Sequence, residues 1–161
     1  LERLRNIVNN PEVRIPLGYR KPFNMPDEHD WYKEKKEDDS KIPLVIYHKE
    51  DQKIIGVLEL DITDIKSRVA EIGFNIDVNY HSNCIGTEFA KLAVEYGFNE
   101  LNLHKIWARV YEFNDKSLGL LKKIGFKQEG TLREHAYMKG EYVDKTRLGL
   151  LREEWNKNDI E

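Results

Sequence analysis

His81-Ser82-Asn83-Cys84-Ile85-Gly86-Thr87 joins an apolar run from Val69 to Val78 to an amphipathic run from Ile85 to Leu101. The first run reads as a strand and the second as a helix. A turn that feeds the first turn of a helix leaves backbone N–H groups without intrahelical acceptors and turns the positive end of the helix dipole outward. Such a junction attracts a pyrophosphate without a Lys or Arg. An ordinary strand-to-helix connection with a small-residue bend accounts for the same residues, and short Gly motifs recur by chance, so both readings stand at this point.

Outward from that junction the chain reads as α+β. Toward the N-terminus, Leu1, Leu4 and Val8 share one helical face, and Asn9-Asn10-Pro11 stops that helix. Pro26-Asp27-Glu28 has the chemistry of a helix start and leads into a second short helix through Trp31 and Tyr32. Pro43 to Tyr47 and Lys53 to Leu60 read as strands joined by a hairpin turn at Lys49-Glu50-Asp51-Gln52. Gly73 interrupts the third strand, Val69 to Val78, and predicts either a bulge or the close approach of another group to the backbone.

Ile85, Phe89, Leu92, Ala93 and Tyr96 recur at helical spacing and define the expected sheet-facing side of the next helix. Lys105 to Tyr111 alternates, with Ile106, Ala108 and Val110 on one side and Trp107, Arg109 and Tyr111 on the other. Strand, helix and parallel strand make a crossover unit. Asn114 caps a further helix whose apolar face is Leu118, Leu121 and Ile124, and Gly125 ends it. The last strands are placed at Phe126 to Glu129 and Lys145 to Leu151, with an irregular segment between them.

Composition narrows the function classes. A chain of 161 residues with 40% hydrophobic residues suits one domain with one core. No apolar stretch approaches the roughly 20 residues of a membrane helix, and no segment has the layout of a secretory signal, so a cytoplasmic protein is expected. One cysteine excludes an intrachain disulfide, and the histidines lack ligand spacing, so no metal is expected. A net charge of −3 argues against nucleic acid as partner. The mixed run Glu34 to Asp39 reads as a solvated helix end.

Beyond the 81–87 turn, Glu71-Ile72-Gly73-Phe74-Asn75-Ile76-Asp77, Leu101-Asn102-Leu103-His104-Lys105-Ile106, Asn114-Asp115-Lys116-Ser117 and Ile124-Gly125-Phe126-Lys127-Gln128-Glu129-Gly130 follow in a fixed order. In that order they resemble the GNAT N-acetyltransferases, closest to the branch that acetylates ribosomal-protein amino termini and polyamines. The resemblance runs from about Pro11 to Trp155. The family's pyrophosphate motif is Gln or Arg, two residues, Gly, one residue, then Gly or Ala. Here His81, Cys84 and Gly86 occupy those places, so two of the three depart from it.

The resemblance implies a GNAT fold: a mixed, mostly antiparallel sheet flanked by helices and splayed at a bulged strand, with pantetheine of acetyl-CoA in the opening. It implies a single domain over residues 1–161 and a first strand, within about 20 further residues, ahead of Leu1. The implied CoA contacts are Phe74, Asn75, Ile76, Asp77, His81, Ser82, Asn83, Cys84, Ile85, Gly86, Thr87, Asn114 and Ser117. Acceptor specificity is expected in the loops at 14–25 and 130–144, with Glu134, Tyr137 and Tyr142 as acceptor contacts. Dimers are frequent among relatives, so a homodimer is one expectation.

Acyl transfer to an amine needs a proton acceptor for the ammonium and a donor for the departing thiolate. Many relatives use a tyrosine four residues before the Gly-Phe pair, where this chain has Leu121, which cannot donate. The ribosomal-protein branch uses a serine after Asn-x-x, and Ser117 holds that place; a first-turn serine satisfying local backbone is the alternative. Glu71 matches an acidic residue that takes the amine proton through water, although a solvent-facing strand glutamate is also common. The glutamate that some relatives place after the Gly-Phe block corresponds to Ala136. The leading acceptor is the α-amine of a protein such as a ribosomal protein. A polyamine or other small amine is the runner-up, and a non-catalytic acyl-CoA-binding module is the alternative of another class.

Overall fold

The structure is a computed structural model that describes residues 1–19, 21–81 and 84–155. Helix α1 (Glu2–Asn9) buries Leu4, Ile7 and Val8. Asn10, which ends α1, caps the short α2 (Pro11–Arg14) by accepting from Glu12 N at 2.9 Å, a turn hidden behind the stop signal at Pro11. Helix α3 (Met25–Glu37) is longer than expected because Asn24 and Asp27 form a reciprocal capping box, at 2.9 and 3.0 Å, ahead of thirteen uninterrupted helical residues.

Strands β1 (Lys41–His48), β2 (Lys53–Asp64) and β3 (Val69–Ile76) form an antiparallel meander. Then come α4 (Ile85–Asn99), β4 (Lys105–Tyr111), α5 (Asp115–Lys123), β5 (Lys127–Met138) and β6 (Glu141–Leu151). The sheet order is β1-β2-β3-β4-β6-β5, and β3 with β4 is the parallel pair, as a crossover through α4 requires. That pair is short: Val69↔Lys105, Ala70↔Ile106 and Glu71↔Trp107. Beyond Glu71 the strands part, giving the expected splay.

The bulge is not at Gly73, whose pairing with Glu59 lies in continuous register. The register shift falls between Ile62 and Asp64 of β2, so Thr63 is the extra residue. Thr63 Oγ1 there accepts from Trp107 Nε1 at 3.3 Å.

The core lies between the sheet and α4 and α5, where Phe89, Ala90, Ala93, Val94 and Phe98 meet Leu58, Leu60, Ile72, Ile106, Leu148 and Leu150. This corrects the expected face of α4: Leu92 is 60% exposed and Tyr96 is exposed too. The helix sits too close to the sheet for large side chains. A Cβ on Gly97 would lie 2.9 Å from Ile106 Cδ1, so the small residues Ala90, Ala93 and Gly97 make the contact.

The irregular segment predicted between the last strands is a long hairpin instead. Met138 pairs with Glu141 across the two-residue turn Lys139-Gly140, and both turn residues have positive φ. β5 is mostly exposed, and its pairing with β6 carries register shifts at Gln128/Gly130 and Leu132/Ala136, so no apolar alternation marks the outer half of the hairpin.

Candidate active site

Where β3 leaves β4, a cavity of about 620 Å³ opens against α4 and α5. Its mouth is the start of α4. Cys84 holds the N-cap position with φ 59° and no side-chain cap, so the first-turn donors keep no side-chain partner. The left-handed conformation explains why a glycine suits this place. Two residues on, a Cβ at Gly86 would lie 2.8 Å from Leu120 Cδ1, which ties that glycine to the close approach of α5.

Of the CoA contacts that the resemblance implies, Phe74, Asn75, Ile76, His81, Cys84, Gly86, Thr87, Asn114 and Ser117 line this cavity. His81 Nε2 donates to the Ile76 carbonyl at 3.2 Å, which turns the ring back onto β3. Asn114 Oδ1 accepts from Ser117 N at 3.2 Å, fixing the first turn of α5 beside the cavity. Ile85 instead packs against the core. Asp77 is buried in an ion pair with Arg3 and accepts from Asn79 N at 3.0 Å, so its carboxylate ties α1 to the end of β3 rather than facing the cavity. Ser82 and Asn83 lie outside the described residues.

Lys116 and Lys123 of α5 also line the cavity. Seven residues apart, they stand on one helical face, a spacing that could have been read from the sequence. A phosphorylated ligand fits this donor set: an uncapped helix start and two lysines at the wall, with mainly apolar surface deeper in.

A second cavity, of about 260 Å³, lies on the other side of β3 beneath α1, α3 and the 15–23 loop. The loop is pressed onto β4 at Gly18, where φ is +80° and any Cβ would overlap the Tyr111 hydroxyl. Four carboxylates line this cavity: Glu28, Glu59, Asp61 and Glu71. Three are matched by cations. Lys35 Nζ lies 2.7 Å from Glu59, Lys41 pairs with Asp61, and Arg109 donates to both Glu71 oxygens at 2.9 Å each. The Glu71 carboxylate holds the Arg109 guanidinium above its ordinary pKa, and that guanidinium stands over the Trp107 ring at 5.1 Å.

Glu28 has no ion-pair partner among the described residues and is only 5% exposed. Burial pushes its carboxyl up, partly countered by Arg5 and His29. The neighbouring Tyr19 phenol is also pushed up, by burial and then by Glu59 and Glu28.

The two cavities share Leu17, Phe74 and Asn75. Ser117 stands on one side of that junction and Glu71 on the other. The 14–25 loop reaches the site through Leu17, Tyr19 and Phe23, whereas the expected acceptor contacts Glu134, Tyr137 and Tyr142 line neither cavity. Tyr137 and Tyr142 pair edge-on across the β5–β6 hairpin, with centroids 5.1 Å apart and about two thirds of each exposed. Glu134 sits in the β5 irregularity and its N–H donates to Asp144 at 2.7 Å. Glu134 and Tyr137 of β5 and Tyr142 of β6 belong to the two strands at the end of the sheet away from β2 and β3, which line the carboxylate cavity. Glu28, Glu59 and Asp61 were not picked out in the sequence because nothing local sets them apart from the other 26 acidic residues.

Comparison with known proteins bears on this geometry. The profile of the family described as Acetyltransferase (GNAT) domain matches residues 1–127. The spermidine N(1)-acetyltransferase of Escherichia coli (strain K12) is 32% identical over 100 residues, which is 62% of this chain and 54% of that protein. A crystal structure of spermidine N-acetyltransferase from Vibrio cholerae in complex with CoA and spermine superposes with TM-score 0.87 at 25% identity, covering 95% of this chain and 90% of that one. The ribosomal-protein-S5-alanine acetyltransferase of Vibrio fischeri superposes with TM-score 0.77 at 20% identity, over 95% of this chain and 88% of that one, a likeness of fold. Several curated relatives are matched over only 54 to 67% of their own length.

Proposed function

From membership of the GNAT acetyltransferase family, to which this chain belongs, we propose that the protein transfers an acetyl group from acetyl-CoA to a primary amine of a polyamine. The observation that carries the choice of acceptor is the carboxylate-lined cavity, and within it Glu28, buried with no ion-pair partner among the described residues. A polyamine brings a second ammonium to satisfy that charge. A neutral or monoamine acceptor does not. The spermidine acetyltransferases among the relatives favour the same reading over the protein α-amine expected from sequence.

In this account the larger cavity receives acetyl-CoA. The uncapped start of α4 at Cys84, with Lys116 and Lys123, takes its phosphates, and the thioester reaches the junction at Phe74 and Asn75. Ser117 donates its hydroxyl to the departing sulfur, whose negative charge grows as the bond breaks. Glu71 receives the amine proton through water. Its two oxygens are already held by Arg109, which fixes the carboxylate in place while leaving lone pairs for water.

Release of CoA thiol, measured with spermidine, butylamine, an alanine-initiated peptide and no acceptor, tests the reading. Turnover is expected with spermidine well above the other three. Turnover restricted to the peptide would return the assignment to a protein amine. Saturable acetyl-CoA binding without turnover on any acceptor would make the protein a non-catalytic acyl-CoA-binding module.

A further inference from the structure

Glu71, Gly73 and Asn75 fall on one face of β3, because side chains two apart in a strand share a side. All three line the carboxylate cavity. The intervening Phe74 turns the other way and packs edge-on against Phe89 of α4, with centroids 5.4 Å apart. Asn75 is unusual in this row. Its Oδ1 is buried and has no hydrogen-bond partner among the described residues.

Its backbone is held firmly, through pairing with Val57 and through Gly56, where any Cβ would overlap the Asn75 carbonyl oxygen. Leaving a buried carbonyl oxygen unpaired costs about 1–3 kcal/mol, so such groups are few and call for an explanation. Beside it, Gly73 leaves a gap: a Cβ there would meet no atom within 4 Å.

We propose that this row is the seat of the reacting amine: the amine nitrogen lies over Gly73, and Asn75 Oδ1 accepts one of its N–H bonds while the lone pair faces the junction of the two cavities. The inference rests on the acetyl-transfer reading above. The chemistry favours an amide at this place. A carboxylate beside the nucleophile stabilises the ammonium, which has no lone pair to attack with. A neutral carbonyl oxygen orients an N–H in either protonation state without fixing the proton there. The carboxylates then serve the distal ammonium and the proton relay. Asn75 borders both cavities, so its amide stands where the amine seat meets the arriving thioester.

Two substitutions test the proposal on the whole protein. Asn75→Leu removes the acceptor oxygen at similar size, and kcat/KM for spermidine should fall roughly 10- to 100-fold, the range of one hydrogen bond to a charged or developing cationic group. The acetyl-CoA KM and the rise in Tm with CoA should change much less than spermidine kcat/KM, which separates an amine contact from a cofactor contact at a residue bordering both cavities. Gly73→Ala meets no protein atom, so the fold tolerates it, yet its methyl enters the seat and should lower spermidine kcat/KM roughly tenfold or more. Asn75→Asp should move the acidic limb of the kcat profile to higher pH, because the new carboxylate favours the ammonium of the bound amine; a purely structural role would leave that limb in place. Unchanged spermidine kcat/KM in both Asn75→Leu and Gly73→Ala overturns the proposal. So does weakened CoA binding in Asn75→Leu with spermidine turnover intact at saturating acetyl-CoA. A wild-type protein that acetylates no amine overturns both this inference and the reading beneath it.

Discussion

Replacing Glu28 by Gln should make the protein more stable and a poorer polyamine enzyme at once. Glu28 is 5% exposed and unpaired, in a cavity whose other three carboxylates have cations at hand. An ammonium about 4 Å from it gains about 4 kcal/mol of Coulomb energy at an effective dielectric near 20, before desolvation. The net value of a hydrogen bond to a charged group is about 1.5–3 kcal/mol, so spermidine kcat/KM should fall roughly 10- to 100-fold. Butylamine, with no second ammonium, should lose little.

Stability moves the other way. Burial raises the folded carboxyl above its unfolded value, so the cost falls on the ionised form. That cost is absent below the unfolded pKa and fully present once pH has passed the folded one. Without ligand, Glu28→Gln should raise Tm at neutral pH, by about 2–4 °C for each kcal/mol relieved in a chain of this size. The gain should fade as pH drops through the folded pKa and be gone below about 4, where free glutamate itself protonates. Tm by scanning calorimetry across pH, with steady-state rates on both amines, reads the two effects. An equal loss on spermidine and butylamine, or a lower Tm at neutral pH, would refute the reasoning.

Ser117→Ala should lower kcat with little change in the acetyl-CoA KM, because the hydrogen bond to sulfur strengthens as charge develops; an effect confined to KM would demote the serine to a binding contact. Cys84→Gly should preserve turnover and raise Tm, since the left-handed backbone at 84 costs a non-glycine residue about 1–2 kcal/mol. Near-total loss of activity at unchanged CoA affinity would instead assign Cys84 a nucleophilic role. Replacing Lys116 and Lys123 together by Ala should weaken CoA binding roughly tenfold or more and flatten its dependence on salt, measured by titration calorimetry at two ionic strengths. Unaltered affinity and salt dependence would remove the phosphates from that wall.

What could be read in advance was what local chemistry encodes. Asn114 capping α5, the alternation of Lys105 to Tyr111 and the start of α4 at Ile85 each depend on neighbours a few residues away, and each takes its expected place. Gly73 is a signal in the sequence, but the bulge lies at Thr63 on β2 and the splay follows from the short β3–β4 pairing, neither of which a local pattern announces. The outer half of the β5–β6 hairpin is hard to read because β5 is mostly exposed and its pairing shifts register twice, so no apolar period marks it. The face of α4 was misread because large residues were weighted where close approach demanded small ones. The carboxylate cavity was invisible for a different reason: Glu28, Glu59 and Glu71 come from α3, β2 and β3, and only the tertiary fold brings them together.

The most direct test of acetyl transfer to a polyamine at this site is a competition in one vessel. Spermidine and an alanine-initiated peptide at equal concentration are mixed with acetyl-CoA and the protein, and the acetylated products are followed by mass spectrometry. The account predicts spermidine bearing one acetyl group on a terminal amine, formed at least about tenfold faster than acetyl-peptide, the factor expected from one charge-assisted contact at Glu28. Acetyl-peptide forming as fast or faster would contradict it.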